Sequence, residues 1–181
     1  IKGWHNAKSG ANAGRPTVVN MSWGYSTTHS DLPSALSYRG VNKTGTDIDS
    51  LTKLRDFKFT AYPGSANYKT PLRVASVDAD IDEMIDAGIH ICTSAGNSYY
   101  VHDLTTGDDY DNTYTITAGT GYYNRGSSPY SANTFNVGNI DMTSASATLD
   151  QKADSSVTGP AVDIWAPGTN IMSACSTTNS M

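Results

Sequence analysis

The chain has 181 residues, only 16% of them charged, and a formal net charge of −5. That length supports one domain with a sizeable core, and the low charge with abundant glycine, serine, threonine, asparagine and tyrosine excludes a disordered acidic chain or a coiled coil. An acidic balance without a Lys/Arg cluster argues against a nucleic-acid partner, and no apolar run is long enough to span a bilayer, so no membrane partner is expected.

Residues 1–8 read as the last turns of an amphipathic helix, with Ile1, Trp4 and Ala7 on one face. Lys8-Ser9-Gly10 ends it. Thr17 to Gly24 reads as a strand, β-branched at its start and apolar enough to be covered on both faces. Residues 25–73 are long, polar and irregular, with one weak helix from Ile48 to Phe57. A connection of this length is functional or an insertion. Residues 74–87 form the best helix in the chain, with Val74, Val77, Ile81, Met84 and Ile85 as its apolar stripe. Asp78, Asp82, Glu83 and Asp86 face water in this reading, and Gly88 stops the helix.

A strand over residues 89–95 follows, which makes a right-handed parallel βαβ unit with the first strand. Its end, Ile91-Cys92-Thr93-Ser94-Ala95-Gly96-Asn97-Ser98, passes from apolar to small residues. Gly96 permits a sharp turn, and Asn97 offers an amide donor just beyond it. By chemistry alone a Gly-Asn pair after a strand is a turn. Residues 99–128 form a second long polar loop. Thr134 to Ile140 reads as a strand, residues 141–160 as turns and loop, and Ala161 to Trp165 as a strand running into Ala166-Pro167-Gly168. Thr169 to Ala174 reads as a short extended stretch. The chain opens on what looks like the middle of a helix and stops at Met181, as expected of a piece of a longer protein. Cys92 and Cys175 make neither a disulfide framework nor a zinc set. Each reads as a small buried thiol.

Four segments in order carry a resemblance. They are Val18-Val19-Asn20-Met21-Ser22-Trp23-Gly24, Ala87 to Asn97, Phe135 to Asp141, and Gly159-Pro160-Ala161-Val162-Asp163-Ile164-Trp165-Ala166-Pro167-Gly168. The series resembles the subtilisin-like serine proteases, whose middle region carries a "VINMSLG" strand, a "G-VVVAAAGN" strand, a "VIAVGAVD" strand and a "GP-VDV-APG" loop. The long polar loops look more like those of phage-encoded members. The resemblance implies a three-layer α/β/α fold with a mainly parallel sheet, incomplete in this chain. It also implies one domain with insertions near 25–73 and 99–128.

Carried over by position, Asn97 matches the oxyanion-hole asparagine, an amide aimed at the oxygen that becomes negative in acyl transfer. Ser22, Trp23 and Gly24 match the segment that pairs with the substrate backbone as an added strand, with Trp23 in place of the usual leucine. Ser94, Ala95 and Gly96 match one wall of the P1 side-chain pocket. The substrate class is a peptide or protein.

The departures bear on catalysis. The Gly-Thr-Ser-Met-Ala nucleophile motif, the His-Gly-Thr-His motif and the Asp-Thr-Gly or Asp-Ser-Gly motif are all missing from the sequence. Asn179-Ser180-Met181 is only a faint echo of the first. In this family the triad runs Asp, His, Ser along the chain, so the first two are expected before Ile1 and the third after Met181. The residues present would serve a serine endopeptidase without supplying its nucleophile or base. The other reading is a subtilase fold kept as a non-catalytic structural or binding component, for instance of a virus particle with virion partners. An extracellular or virion-associated place suits the two readings.

The four histidines offer no self-contained triad. His90 reads as a core histidine, and His102-Asp103 are merely neighbours in sequence. No cofactor is required. The family often carries structural calcium, and Asp108 to Asn112 is an acidic loop with oxygen ligands close together, although a plain surface loop explains it as well. Asp78-x-Asp80-x-Asp82 mimics an EF-hand start, but Glu83 stands where the turn glycine belongs, and the segment reads as a solvated helix face.

Overall fold

The computed structural model describes residues 1–59, 67–141, 151–169 and 171. The predicted stretch Thr169 to Ala174 therefore lies outside the described residues except for Thr169 and Ile171, as do Cys175 and Asn179 to Met181. The chain starts with α1 (Lys2–Asn6) and β1 (Thr17–Met21), then β2 (Ser26–His29), β3 (Ala35–Tyr38) and β4 (Val41–Thr44). Next come α2 (Leu51–Asp56), β5 (Tyr68–Pro71), α3 (Ala75–Asp86) and β6 (Ile89–Ser94). The last elements are β7 (Thr113–Ile116), β8 (Gly119–Tyr122), β9 (Phe135–Asp141), β10 (Gln151–Lys152) and β11 (Ile164–Pro167).

The central sheet is mainly parallel. β1 pairs β6 from Thr17↔Ile89 to Met21↔Thr93, β6 pairs β9, and β9 pairs β11, all in parallel; only the short β10 runs antiparallel to β9. The βαβ unit is as the periodicity predicts. Ile81 of α3 packs on Met21, Ile89 and Ile91, with Val19, Met84 and Ile85 at the margin. Gly88 has φ of +84°, the left-handed conformation that ends the helix. One predicted water-facing residue is not on that face. Asp78 is half-buried, accepting from Arg73 Nε at 2.7 Å and from the Tyr130 N–H at 2.9 Å. It lies in the first turn, where the helix dipole favours a carboxylate.

Helices cover one face of this sheet. α1 lies on the same side as α3, with the His5 ring 2.7 Å from the hydroxyl of buried Thr17 and Lys2 paired to Glu83 of α3. On the other face Val18 is 65% exposed, and Phe135 and Ile164 are exposed with it. His90 also opens to solvent, not into the core as the sequence suggests, and so does Asn20. The α/β fold is thus present with one helical layer among the described residues, and the layer expected opposite is the incomplete part.

The two polar stretches are where structure and sequence reading differ most. Among their described residues both stretches contain strands. β2 pairs β5, and β4-β3-β7-β8 form an antiparallel sheet that joins residues from both stretches through β3 and β7. Beneath it lies a second core of Leu36, Ile48, Leu54, Phe59, Tyr68, Tyr114 and Tyr123. Tyrosine is suited to this place because its ring fills the core while its hydroxyl finds a backbone acceptor. Tyr68 donates to the Asp31 carbonyl at 2.8 Å and Tyr123 to the Phe57 carbonyl at 3.0 Å. The weak helix is real but short, spanning Leu51–Asp56, and the Ser50 hydroxyl caps it by accepting from the Lys53 N–H at 3.4 Å.

Candidate functional site

Parallel pairing in register brings the carboxyl ends of β1 and β6 to one edge of the sheet. Ser22-Trp23-Gly24 leaves from one end and Ser94-Ala95-Gly96-Asn97 from the other. All seven of these sequence-predicted residues line one cavity of about 200 Å³. The Ala95 N–H extends the ladder by donating to the Val137 carbonyl at 2.8 Å. Gly96 then turns with φ of +104°, and an added Cβ would rest in ordinary contact with Val157 and the Tyr100 hydroxyl. A non-glycine residue would meet backbone strain there.

The third wall is one the sequence reading missed. Ser127, Ser128 and Pro129 close the cavity opposite the strand ends. Three backbone bonds knit them in place: Tyr25 N–H to the Ser128 carbonyl, Ser128 N–H to the Leu72 carbonyl, and Leu72 N–H to the Tyr25 carbonyl. The Ser128 hydroxyl also accepts from the Val74 N–H at 2.7 Å, which ties this wall to the start of α3. Tyr100 joins the lining, its hydroxyl 2.6 Å from Ser127 Oγ. Burial raises the Tyr100 phenol above its ordinary range, so it stays neutral. Nothing in sequence spacing marks Ser127 to Pro129, because their place depends on the long-range pairing of the polar stretches.

Asn97 stands where three cavities meet. It lines the cavity just described and a second of about 420 Å³ with Thr28, Asn67, Tyr68, Lys69, Ser98 and Tyr99. A third, of about 410 Å³, sits over the sheet edge among Asn20, Ser22, Ser94, Asn139 and Pro167-Gly168. Asn97 is exposed, and among the described residues its side chain has no hydrogen-bond partner. A buried brace holds its loop. Val157 N–H donates to the Gly96 carbonyl at 2.9 Å, Tyr99 N–H to the Ser155 carbonyl at 3.1 Å, and His102 N–H to the Thr158 carbonyl at 2.7 Å.

His102 does not act as a base oriented by Asp103. Its Nδ1 accepts from Asn136 Nδ2 at 3.0 Å, while the Asp103 carboxylate accepts from the backbone N–H groups of Leu104 and Asp109. The acidic loop is likewise engaged. Asp109 accepts from Arg39 at 2.8 Å, from Lys58 and from Asn112, and Asp111 pairs with Arg125. Arg39 holds the Asp109 carboxyl well below the usual carboxylate range, with Lys58 and Asn112 assisting. These oxygens face cations of the chain itself. Among the described residues no group of three or more His, Cys, Asp or Glu side chains is placed to hold a metal.

A mainly parallel α/β sheet with a cleft at the carboxyl ends of its strands places this chain among the α/β proteins that work from that edge. The family model for the Peptidase S8, or subtilase, family matches residues 4–181. The chain belongs to that family of serine peptidases. Neither a curated protein nor a solved structure matched the chain.

Proposed function

We propose that this chain supplies the substrate-binding half of a subtilisin-like serine endopeptidase. The Ser/His/Asp triad is assigned outside the 181 residues, because the motifs that carry it are missing from the sequence. The observation that carries this reading is the convergence of both strand ends on one cavity, with exposed Asn97 among its lining residues.

In this reading the substrate backbone adds as a strand beside Ser22-Trp23-Gly24, whose own backbone groups make no hydrogen bond to a neighbouring loop among the described residues. Its P1 side chain enters the cavity along Ser94-Ala95-Gly96. Trp23 packs edge-on to Tyr25 with ring centroids 5.8 Å apart and forms an aromatic rim. When a serine attacks the carbonyl, the oxygen becomes negative, and Asn97 donates to it in the transition state but only weakly to the neutral carbonyl.

Asn97→Ala in the full-length protein should therefore lower kcat by about 10²–10³-fold, a range that comes from subtilisin itself, with KM little changed. Steady-state kinetics on a quenched peptide checks this. An unchanged kcat removes Asn97 from the mechanism. Labelling of one serine by a fluorophosphonate probe is expected, and its failure would favour the non-catalytic reading of the fold.

A further inference from the structure

Two of the cavities share three lining residues: Asn97, Ser98 and Lys69. Lys69 lies in β5, paired to Thr28 of β2. Its neighbours Tyr68 and Thr70 point into the second core. Tyr68 donates to the Asp31 carbonyl, and Thr70 Oγ1 lies 2.9 Å from His29 and 3.0 Å from the Tyr114 hydroxyl. Strand alternation then sends Lys69 to the opposite side, over the cleft. The strand is anchored on both sides of the lysine, so the position of its stem is set.

Among the described residues Lys69 is the one charged residue lining either cavity, with no Asp, Glu, Arg or His beside it. Elsewhere in this acidic chain, cations beside a carboxylate are used for pairing, as Arg39 and Lys58 are at Asp109 and Arg73 at Asp78. No ion pair joins Lys69 to another described residue. The remaining lining of the smaller cavity is rich in hydroxyls, from Ser26, Ser94, Ser98, Ser127 and Tyr100. One ammonium on a set stem, among hydroxyl donors, is complementary to a carboxylate and repels a second ammonium.

We propose that Lys69 makes this cleft selective for peptides with an acidic side chain, Asp or Glu, at the residue that enters between Ser22–Gly24 and Ser94–Gly96. The proposal rests on the peptidase reading for the orientation of the peptide. Its selectivity is a matter of binding and is measurable without turnover.

The test uses the full-length protein and three blocked fluorescent peptides that differ only in Glu, Gln or Lys at that residue. Binding is read by fluorescence polarisation, and cleavage is read separately. The Glu peptide should bind about tenfold tighter than the Gln peptide, the Lys peptide weakest, with the margin shrinking at high salt. Lys69→Glu should invert the order, and Lys69→Gln should level it. Lys69 is exposed, so circular dichroism of the variants should match the parent. Equal binding of the three peptides, or an order that Lys69→Glu leaves unchanged, overturns the proposal. Cleavage of all three at equal rates would overturn it while leaving the peptidase reading intact. Acid-selective binding without cleavage or serine labelling would support the role of Lys69 and remove the peptidase reading.

Discussion

At the scale of single residues, His102 links the site to pH. Its imidazole is buried, its Nδ1 accepts from Asn136, and its Nε2 has no partner among the described residues. Burial lowers its pKa from 6.5 to about 4; Arg73 adds to the shift, and Asp103 and Asp163 oppose it. The folded chain thus keeps His102 neutral where the unfolded chain already binds a proton. Stability is full above pH ~6.5, declines as pH falls towards ~4 and levels off below, a total loss on the order of 3 kcal/mol. Protonation would also set an N–H at Nδ1 against the Asn136 amide. Urea unfolding at pH 7, 5.5 and 4 should show this decline, and His102→Gln should flatten it. Asp109 acts in the same direction at lower pH, since a carboxyl held below its ordinary range loses its contribution only once it is protonated. The two windows are separate, so a decline that begins only below pH 4 would assign no such role to His102.

At the scale of elements, the sequence was most legible where apolar periodicity was strong. The stripe of α3 and the apolar runs of β1 and β6 place themselves, because a buried helix face and a buried strand require those periods. β3 and β7 were not legible. Ala35-Leu36-Ser37-Tyr38 and Thr113-Tyr114-Thr115-Ile116 are short and carry hydroxyls on both faces, so they read as loop. They are strands because each pairs with the other across more than seventy residues and because aromatic rings fill the core below. Phe59 is the hub of that core, edge-on to Tyr68, Tyr114 and Tyr123 with centroids 5.2, 5.7 and 4.9 Å away. Phe59→Ala should cost about 3–5 kcal/mol, measured by chemical denaturation. A cost under ~1 kcal/mol would mean that this cluster does not hold the antiparallel sheet together.

At the scale of the whole molecule, the loop bearing Asn97 is tied by backbone hydrogen bonds to residues 155–161. Gly159 is the tightest point. Its φ is +116°, and an added Cβ would lie 2.3 Å from the His102 carbonyl oxygen, a backbone atom that cannot step aside. Gly159→Ala should cost roughly 1–3 kcal/mol or more. Hydrogen exchange at the amides of Tyr99, His102, Val157 and Ala161 should speed up together, since all four donate within this brace. Unchanged protection at Tyr99 and Val157 would uncouple the brace from the Asn97 loop.

The sequence by itself determined the βαβ unit, because a buried helix face and buried strands have a readable period, and the resemblance of four segments pointed to the family and to the seven residues that line the cleft. It did not determine the third wall at Ser127–Pro129, the hydroxyl of Tyr100, the position of Lys69 or the exposure of His90. Those follow from which distant segments pair and which sheet face is covered. Pairing between segments far apart in the chain is specified by packing and hydrogen bonding across the fold, which no local pattern records.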